Sequence, residues 1–348
     1  MRYSTFLSII YINLKIFFLK IFSPKSVIPY KILINLTDLC NSRCQFCDIW
    51  KIKPENEIGI NDLDKLFKHY STDLYWLSLS GGEVTLVKYY KEMIDSAVTN
   101  CKNLKILAFT TNALAVNRAV EYAKYAKSKG LDVLVTISLD GDEKTHDEIR
   151  GVKGNYKKCI ELYKRLKEEK INTNFGITLS ENNFNFVKKY YKDYNEMLKA
   201  VTFVHSHGIY SKENTQNDSK IIESLIFIDN NFYIKKFYEF IEKIHIRISV
   251  DFLKQKRTKN IIPCDVINTS LHLMPNGDIK PCMFMNKIGN FRNTKLKDVL
   301  KSEEVNEIKN KIKKDNCPHC WMNCYSVHSI MQYPFKSLWK YVVNEKKL

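Results

Sequence analysis

Ile32-Leu33-Ile34-Asn35-Leu36 runs directly into Thr37-Asp38-Leu39-Cys40-Asn41-Ser42-Arg43-Cys44-Gln45-Phe46-Cys47, so an apolar run ends at three cysteines spaced C-x3-C-x2-C. The run reads as a strand and the cysteines as a loop at its C-terminal end. Working outward, four more strands are expected at Leu74–Ser80, Leu104–Thr110, Val133–Leu139 and Thr173–Leu179, and a sixth at Val201–Val204. Helical patterns fall between them, over Asn61–Tyr70 with Asn61 as cap, Leu86–Asn100, Val116–Lys129, Tyr156–Lys170 and Asn185–Leu198. A short piece at Lys144–Arg150 precedes the fourth of these.

Strands alternating with helices of this length imply βαβ units on a parallel sheet. Six units suit an α/β fold of the open kind, a partial (β/α)6 TIM-like barrel. Right-handed crossovers then bring every strand's C-terminal end to one rim. That rim gathers the cysteine loop, Gly81-Gly82-Glu83, Thr111-Asn112 and Asp140-Gly141.

Three thiolates on a tight loop can hold three irons of a [4Fe–4S] cube and leave the fourth without a protein ligand. An open coordination position marks catalysis rather than structure. Zinc would want a fourth ligand nearby, and the closest histidine in sequence is His69.

The spacing, with Phe46 before the third cysteine, resembles the signature of the radical S-adenosylmethionine (SAM) superfamily. Gly81-Gly82-Glu83 resembles that family's GGE motif, and Ser138-Leu139-Asp140-Gly141, His146-Asp147 and Arg150-Gly151 resemble a string common in its auxiliary-cluster subgroup. The resemblance implies a SAM-binding [4Fe–4S] cluster on Cys40, Cys44 and Cys47. It also implies SAM contacts from Phe46, Gly81, Gly82, Glu83, Asn112, Ser138 and Arg150. Reductive cleavage of SAM would give methionine and a 5′-deoxyadenosyl radical that removes a substrate hydrogen atom. Two departures stand out: Val84-Thr85 where the family often has proline, and Thr111-Asn112-Ala113 where Thr-Asn-Gly is frequent.

The C-terminal cysteines form a second set. Cys264 is followed by twelve residues, Gly277, four residues and Cys282; then come Cys317-Pro318-His319-Cys320 and Cys324. Leu271–Met274 and Asp278–Lys280 read as a hairpin around Asn276-Gly277. The pattern resembles the SPASM/Twitch auxiliary-cluster domain in its single-cluster form. It implies Cys264, Cys282, Cys317 and Cys320 as ligands of an auxiliary [4Fe–4S] cluster, with Cys324 a fifth candidate able to replace Cys320. A structural zinc suits C-x2-C pairs equally. Cys101 and Cys159 read as ordinary buried thiols.

Length and composition frame these motifs. The chain has 348 residues, 45% hydrophobic and 27% charged, which excludes global disorder and a disulfide scaffold. Clustered cysteines in a chain of this size indicate metal and a reducing, cytoplasmic setting. The net charge of +17 leaves an anionic partner such as nucleic acid open, although the lysines are scattered over helix faces.

The expected organisation is an N-terminal amphipathic segment (1–30), a barrel core (31–229), a cysteine-rich auxiliary domain (230–324) and an aromatic-rich tail (325–348), with a linker from Ser206 to Asp229 and a helix over Phe232–Lys243. Phe6–Phe22 is apolar but interrupted by Lys15 and Lys20, so it reads as a helix packed on the barrel, with peripheral membrane contact through residues 1–22 left open. His205 and His207 are placed near the rim, where a structural role is set against substrate binding. Asp140 is expected there as an acid or acceptor.

The functional expectation is a radical SAM enzyme that oxidises or modifies a peptide, sugar or cofactor precursor. Its partners would be a small-molecule or peptide substrate and a reductant such as flavodoxin or ferredoxin. Only 39 residues precede Cys40, too few for a separate leader-binding domain, which lowers the peptide reading unless a partner supplies one. The rivals are a non-catalytic Fe–S or zinc protein and an RNA-modifying enzyme.

Overall fold

A computed structural model describes residues 2–205 and 218–345. Its framework is one nine-stranded sheet. β1 (Lys31–Asn35), β2 (Trp76–Ser80), β3 (Ile106–Thr111), β4 (Asp132–Ser138), β5 (Asn172–Leu179) and β6 (Leu198–Phe203) follow one another in parallel. β7 (Ser270–Leu273) joins the other edge of β1 in parallel, then β8 (Asp278–Lys280) and β9 (Gly289–Asn290) add antiparallel. The expected hairpin is therefore an extension of the barrel sheet. Gly277 makes its turn at φ +86°.

The helices are α1 (Tyr3–Phe22), α2 (Ile60–Tyr70), α3 (Tyr90–Asn100), α4 (Val116–Ser128), α5 (Glu143–Arg150), α6 (Asn155–Glu168) and α7 (Phe184–Tyr194). They continue with α8 (Asp218–Asn231), α9 (Phe237–Lys254), α10 (Leu296–Lys301), α11 (Glu303–Lys313), α12 (Asn323–Gln332) and α13 (Pro334–Glu345).

The strands' period of two separates two faces. Leu77, Leu107, Val133 and Val135 point outward and are buried under the helices. The opposite face carries Ser78, Ser80, Thr110, Thr136, Asn174 and Thr178, which line the barrel interior. Side chains this small and polar leave the lumen open where a closed barrel would fill it with branched residues. α9 and α12 pack on each other and on β6, and both contribute lumen residues.

Several expectations need correction. Asn61 is not the cap of α2. Gly59 caps it, and its N–H donates to the Asp62 carboxylate at 3.1 Å, because aspartate sits at the third helical position. The helix read from Leu86 starts at Tyr90, and Leu86 instead ends a single tight turn, Val84–Leu86, in which Thr85 folds back on Glu83. The helix read from Phe232 starts at Phe237 and runs on to Lys254.

The expected linker ends in a helix. α8 buries Ile221, Leu225 and Ile228, and the boundary at 229 and 230 falls inside it. Ser206, His207 and the rest of 206–217 lie outside the described residues. His205 is buried against Phe203 and Phe284, with ring centroids 5.0 and 5.6 Å away, and does not line the lumen. The tail is two helices, of which α13 packs on α9.

Candidate functional site

The C-terminal ends of β1 and β2 are joined across the rim. Gly82 N–H donates to Thr37 O at 2.6 Å, and Glu83 N–H donates to Leu39 O at 2.8 Å. A Cβ on Gly82 would overlap the Leu39 carbonyl, and one on Gly81, at φ +117°, the Thr37 carbonyl. The glycine pair is thus required by the close approach of the cysteine loop.

The far side of that loop rests on the end of α5. Arg43 N–H donates to Arg150 O and Gln45 N–H to Ile149 O, each at 3.0 Å. Gly151 caps α5 at φ +65°, and a Cβ there would come 2.8 Å from Arg43 O. The Arg150-Gly151 pair therefore has a packing reason as well as a chemical one.

Arg150 is 8% exposed. Its Nε donates to Asp140 Oδ2 at 2.6 Å, and its Nη1 donates to Cys44 Sγ at 3.6 Å. Burial would lower its pKa, but Asp140 and Cys44 outweigh that and raise it. Asp140 is fully buried and also accepts from Thr178 N–H at 2.9 Å, so it acts as an acceptor. The Phe46 ring lies 5.6 Å from the Arg150 guanidinium.

Glu83 is 1% exposed, and its carboxylate is fully used within the chain. Oε1 accepts from Thr85 N–H, Thr85 Oγ1 and Thr111 Oγ1 at 3.1, 2.7 and 2.8 Å; Oε2 accepts from Asn112 N–H at 2.8 Å. Asn112 Nδ2 in turn donates to Asn41 Oδ1 at 2.8 Å, which ties the third strand's end to the cysteine loop.

The expected cluster ligands and SAM contacts open onto one cavity of about 540 Å³, namely Cys40, Cys44 and Cys47, then Phe46, Gly81, Gly82, Glu83, Asn112, Ser138 and Arg150, whereas Asp140 lies behind it. The three cysteines are unpaired thiols. Burial pushes the Cys47 thiol up to about 12, and raises Cys40. A bound metal replaces the proton of such a thiol. Among the described residues, no three cysteine sulfurs lie within 4.8 Å of one another. A single tetrahedral zinc would hold them about 3.8 Å apart, from a Zn–S bond of ~2.3 Å. The three sulfurs are therefore not gathered as one tetrahedral zinc would hold them.

Two features escaped the sequence reading. Glu57 accepts from Thr37 Oγ1 at 2.8 Å and from Asp38 N–H at 2.6 Å, which pins the loop's first turn. The cavity's closed side carries a charged group of its own. Lys31 Nζ lies 2.8 Å from His328 Nε2 and donates to Cys324 O at 3.2 Å. Burial lowers Lys31 to about 8 and raises Glu242 to about 7. A lysine opening an apolar strand was the only local sign of it.

The second cysteine set divides. Cys264, Cys282, Cys317 and Cys320 line one small void beneath Tyr325 and Asn260. Asn260 Nδ2 donates to Cys317 Sγ at 3.3 Å. Cys324 lines the barrel cavity instead. Burial raises Cys264 and Cys320, and Cys282 to about 11. His319 and Asp315 gather around Cys317, but the Asp315 carboxylate already accepts from Asn260 Nδ2 at 2.7 Å. Cys101 and Cys159 are buried; Cys159 donates to Ser138 O at 3.4 Å.

Comparison with known proteins agrees with this geometry. The model of the radical SAM superfamily matches residues 34–209, and that of an iron–sulfur cluster-binding domain matches 264–325. The sporulation killing factor maturation protein SkfB of Bacillus subtilis is 32% identical over 166 residues, 46% of this chain and 38% of that protein. The Fe-coproporphyrin III synthase of Methanosarcina barkeri is 30% identical over 155 residues, 43% of this chain and 37% of that one. The chain thus spans under two fifths of those relatives' length. Among solved structures, native anSMEcpe with bound AdoMet has a TM-score of 0.60 at 17% identity, covering 91% of this chain and 100% of that one. Streptococcus suis SuiB bound to precursor peptide SuiA has a TM-score of 0.60 at 18% identity, covering 84% and 69%. Both show the same fold.

Proposed function

The chain belongs to the radical SAM superfamily and carries an auxiliary iron–sulfur domain, and from that premise we propose that it cleaves SAM reductively to modify a peptide substrate. The observation that carries the reading is the single cavity onto which Cys40, Cys44, Cys47, the Gly81-Gly82 pair and Ser138 all open. A [4Fe–4S] cluster bound by the three thiolates would supply the electron that breaks the sulfonium C–S bond of SAM, giving methionine and a 5′-deoxyadenosyl radical.

The chain's own residues then hold and shield the reactants. Gly81 and Gly82 let the methionyl end approach the backbone closely. Phe46 offers an apolar face for the adenine. Ser138 and Asn112 offer polar contacts on the adjoining strands' ends. Arg150 keeps a positive charge against Cys44, and Asp140 holds the guanidinium in place. α9 and α12 cover the open side of the barrel and exclude water from the radical. Cys264, Cys282, Cys317 and Cys320 would hold one auxiliary [4Fe–4S] cluster.

The peptide class is supported by the printed roles of SkfB as a maturation protein and of SuiB with its precursor peptide. We place the enzyme in the cytoplasm with a flavodoxin or ferredoxin as reductant. The test is anaerobic reconstitution followed by a SAM cleavage assay with dithionite. 5′-Deoxyadenosine should form, and Cys44→Ala should abolish it. Its absence from a preparation with an intact cluster would overturn the reading.

A further inference from the structure

α1 presents apolar side chains on both of its faces. The inner face, Ile9, Ile12 and Ile16, packs on Tyr30 and Ile106, with Trp76 at the margin. These residues sit at the N-terminal ends of β1 to β3, and Arg2 pairs with Asp132 at the start of β4. α1 therefore lies across the barrel end opposite the cysteine rim. Its outer face is the stripe Tyr3, Leu7, Ile10, Leu14, Phe18 and Phe22, each between 41 and 78% exposed. Steps of three and four residues keep these on one side of the helix. A second stripe follows on α13, with Phe335 and Trp339 at 89 and 68% exposure. Between the two helices, Lys20 Nζ of α1 lies 4.6 Å from the ring centroid of Tyr333, the residue that precedes α13. A soluble monomer rarely exposes so much contiguous apolar surface.

Charge narrows what covers this surface. No acidic residue precedes Asp38, and none lies between Asp315 and Glu345. Lys15, Lys25 and Lys336 are exposed beside the stripes. A second copy of the chain, docked face to face, would set these cations against one another with no carboxylate on either stripe. An anionic lipid surface pairs with them and takes the apolar side chains into its acyl boundary.

We propose that α1, with the start of α13, docks the enzyme on the surface of a bilayer containing anionic lipids. The helix lies on the membrane and does not cross it. Asn13, at its middle, is buried, donates to Tyr30 OH at 3.2 Å and accepts from Gln332 Nε2 at 2.9 Å through Oδ1. Crossing would break that network and expose the inner face. Docking on α1 leaves the cysteine rim turned away from the bilayer, open to substrate and reductant.

The test is flotation of the purified full chain with vesicles of phosphatidylcholine and phosphatidylglycerol (7:3), against phosphatidylcholine alone. The chain should float with the anionic vesicles, with at least a tenfold loss without phosphatidylglycerol or in 1 M salt. Leu14→Glu with Phe18→Glu should abolish flotation while iron content and circular dichroism stay unchanged, because both side chains are exposed. Failure to float would overturn the proposal. So would a dimer in solution that the same double variant disrupts, which would assign the surface to a second copy. Retention that only detergent can reverse would mean a spanning helix and would also overturn it. None of these outcomes depends on SAM cleavage.

Discussion

Arg150 Nη1 lies 3.6 Å from Cys44 Sγ while Nε of the same guanidinium holds Asp140 at 2.6 Å. One fork thus joins a proposed cluster ligand to a buried carboxylate. Positive charge and hydrogen bonds at a cluster sulfur raise its reduction potential. Arg150→Lys can keep the ion pair with Asp140 but cannot reach both partners. The cluster on Cys40, Cys44 and Cys47 should then become harder to reduce by roughly 60 mV, a tenfold change for a one-electron couple. A redox titration followed by electron paramagnetic resonance measures this. An unchanged potential would show that the contact does not tune the cluster.

Glu83 supplies the second prediction. It accepts four hydrogen bonds, from Thr85 (two), Thr111 and Asn112, and is 1% exposed. Glu83→Gln keeps the shape but turns one oxygen into a donor. Either orientation sets the new N–H against a backbone donor, at Asn112 or at Thr85. The expected loss is about 1–3 kcal/mol of folding stability, read as a lower urea midpoint. A midpoint equal to that of the unaltered chain would remove Glu83 as the organiser of the rim.

The rim was legible in the sequence because its residues follow strand ends directly. Cys40, Gly81, Asn112 and Ser138 each sit at the end of an apolar run, and parallel connections bring such ends together. The closed side of the cavity was not legible in this way. Lys31 meets His328 across 297 residues of chain, and no local pattern announces that. α8 was hidden because its apolar run, residues 221–228, is short and flanked by Asp218, Ser219 and Lys220 on one side and Asp229, Asn230 and Asn231 on the other, so a helix read as loop. The separation of Cys320 from Cys324 shows only in the three-dimensional path of the chain, since both lie within a few residues of Cys317.

Acid should destabilise the fold through buried histidines. Burial lowers His245 and His272 each to about 3. His245 stacks on Trp321 at 5.7 Å and is hydrogen-bonded to Ser326 Oγ at 2.7 Å. Both rings stay neutral in the folded chain and gain a proton near pH 6.5 when it unfolds. The unfolded state therefore binds more protons between pH 6.5 and 3. Stability is fully present above 6.5 and falls as pH drops through that window, by up to ~1.4 kcal/mol per pH unit for each ring. His245→Gln should flatten this slope by about that amount in urea titrations at pH 7.5, 6.0 and 5.0. An identical slope in the variant would mean that His245 is not the titrating group.

The separation of Cys320 from Cys324 gives the last prediction. Cys320 shares a void with Cys264, Cys282 and Cys317, whereas Cys324 faces the barrel cavity and its carbonyl accepts from Lys31. Four thiolates complete a [4Fe–4S] cluster, so two clusters bring roughly eight irons per chain. Cys320→Ala should reduce the reconstituted chain towards roughly four irons, those held by Cys40, Cys44 and Cys47. Cys324→Ala should keep roughly eight, because it removes a cavity-lining thiol and no ligand. Iron and sulfide analysis with Mössbauer spectra on both variants decides the matter. If Cys324→Ala loses the auxiliary irons and Cys320→Ala keeps them, the ligand set is Cys264, Cys282, Cys317 and Cys324, and the N-terminal turn of α12 must rotate to bring that sulfur out of the barrel.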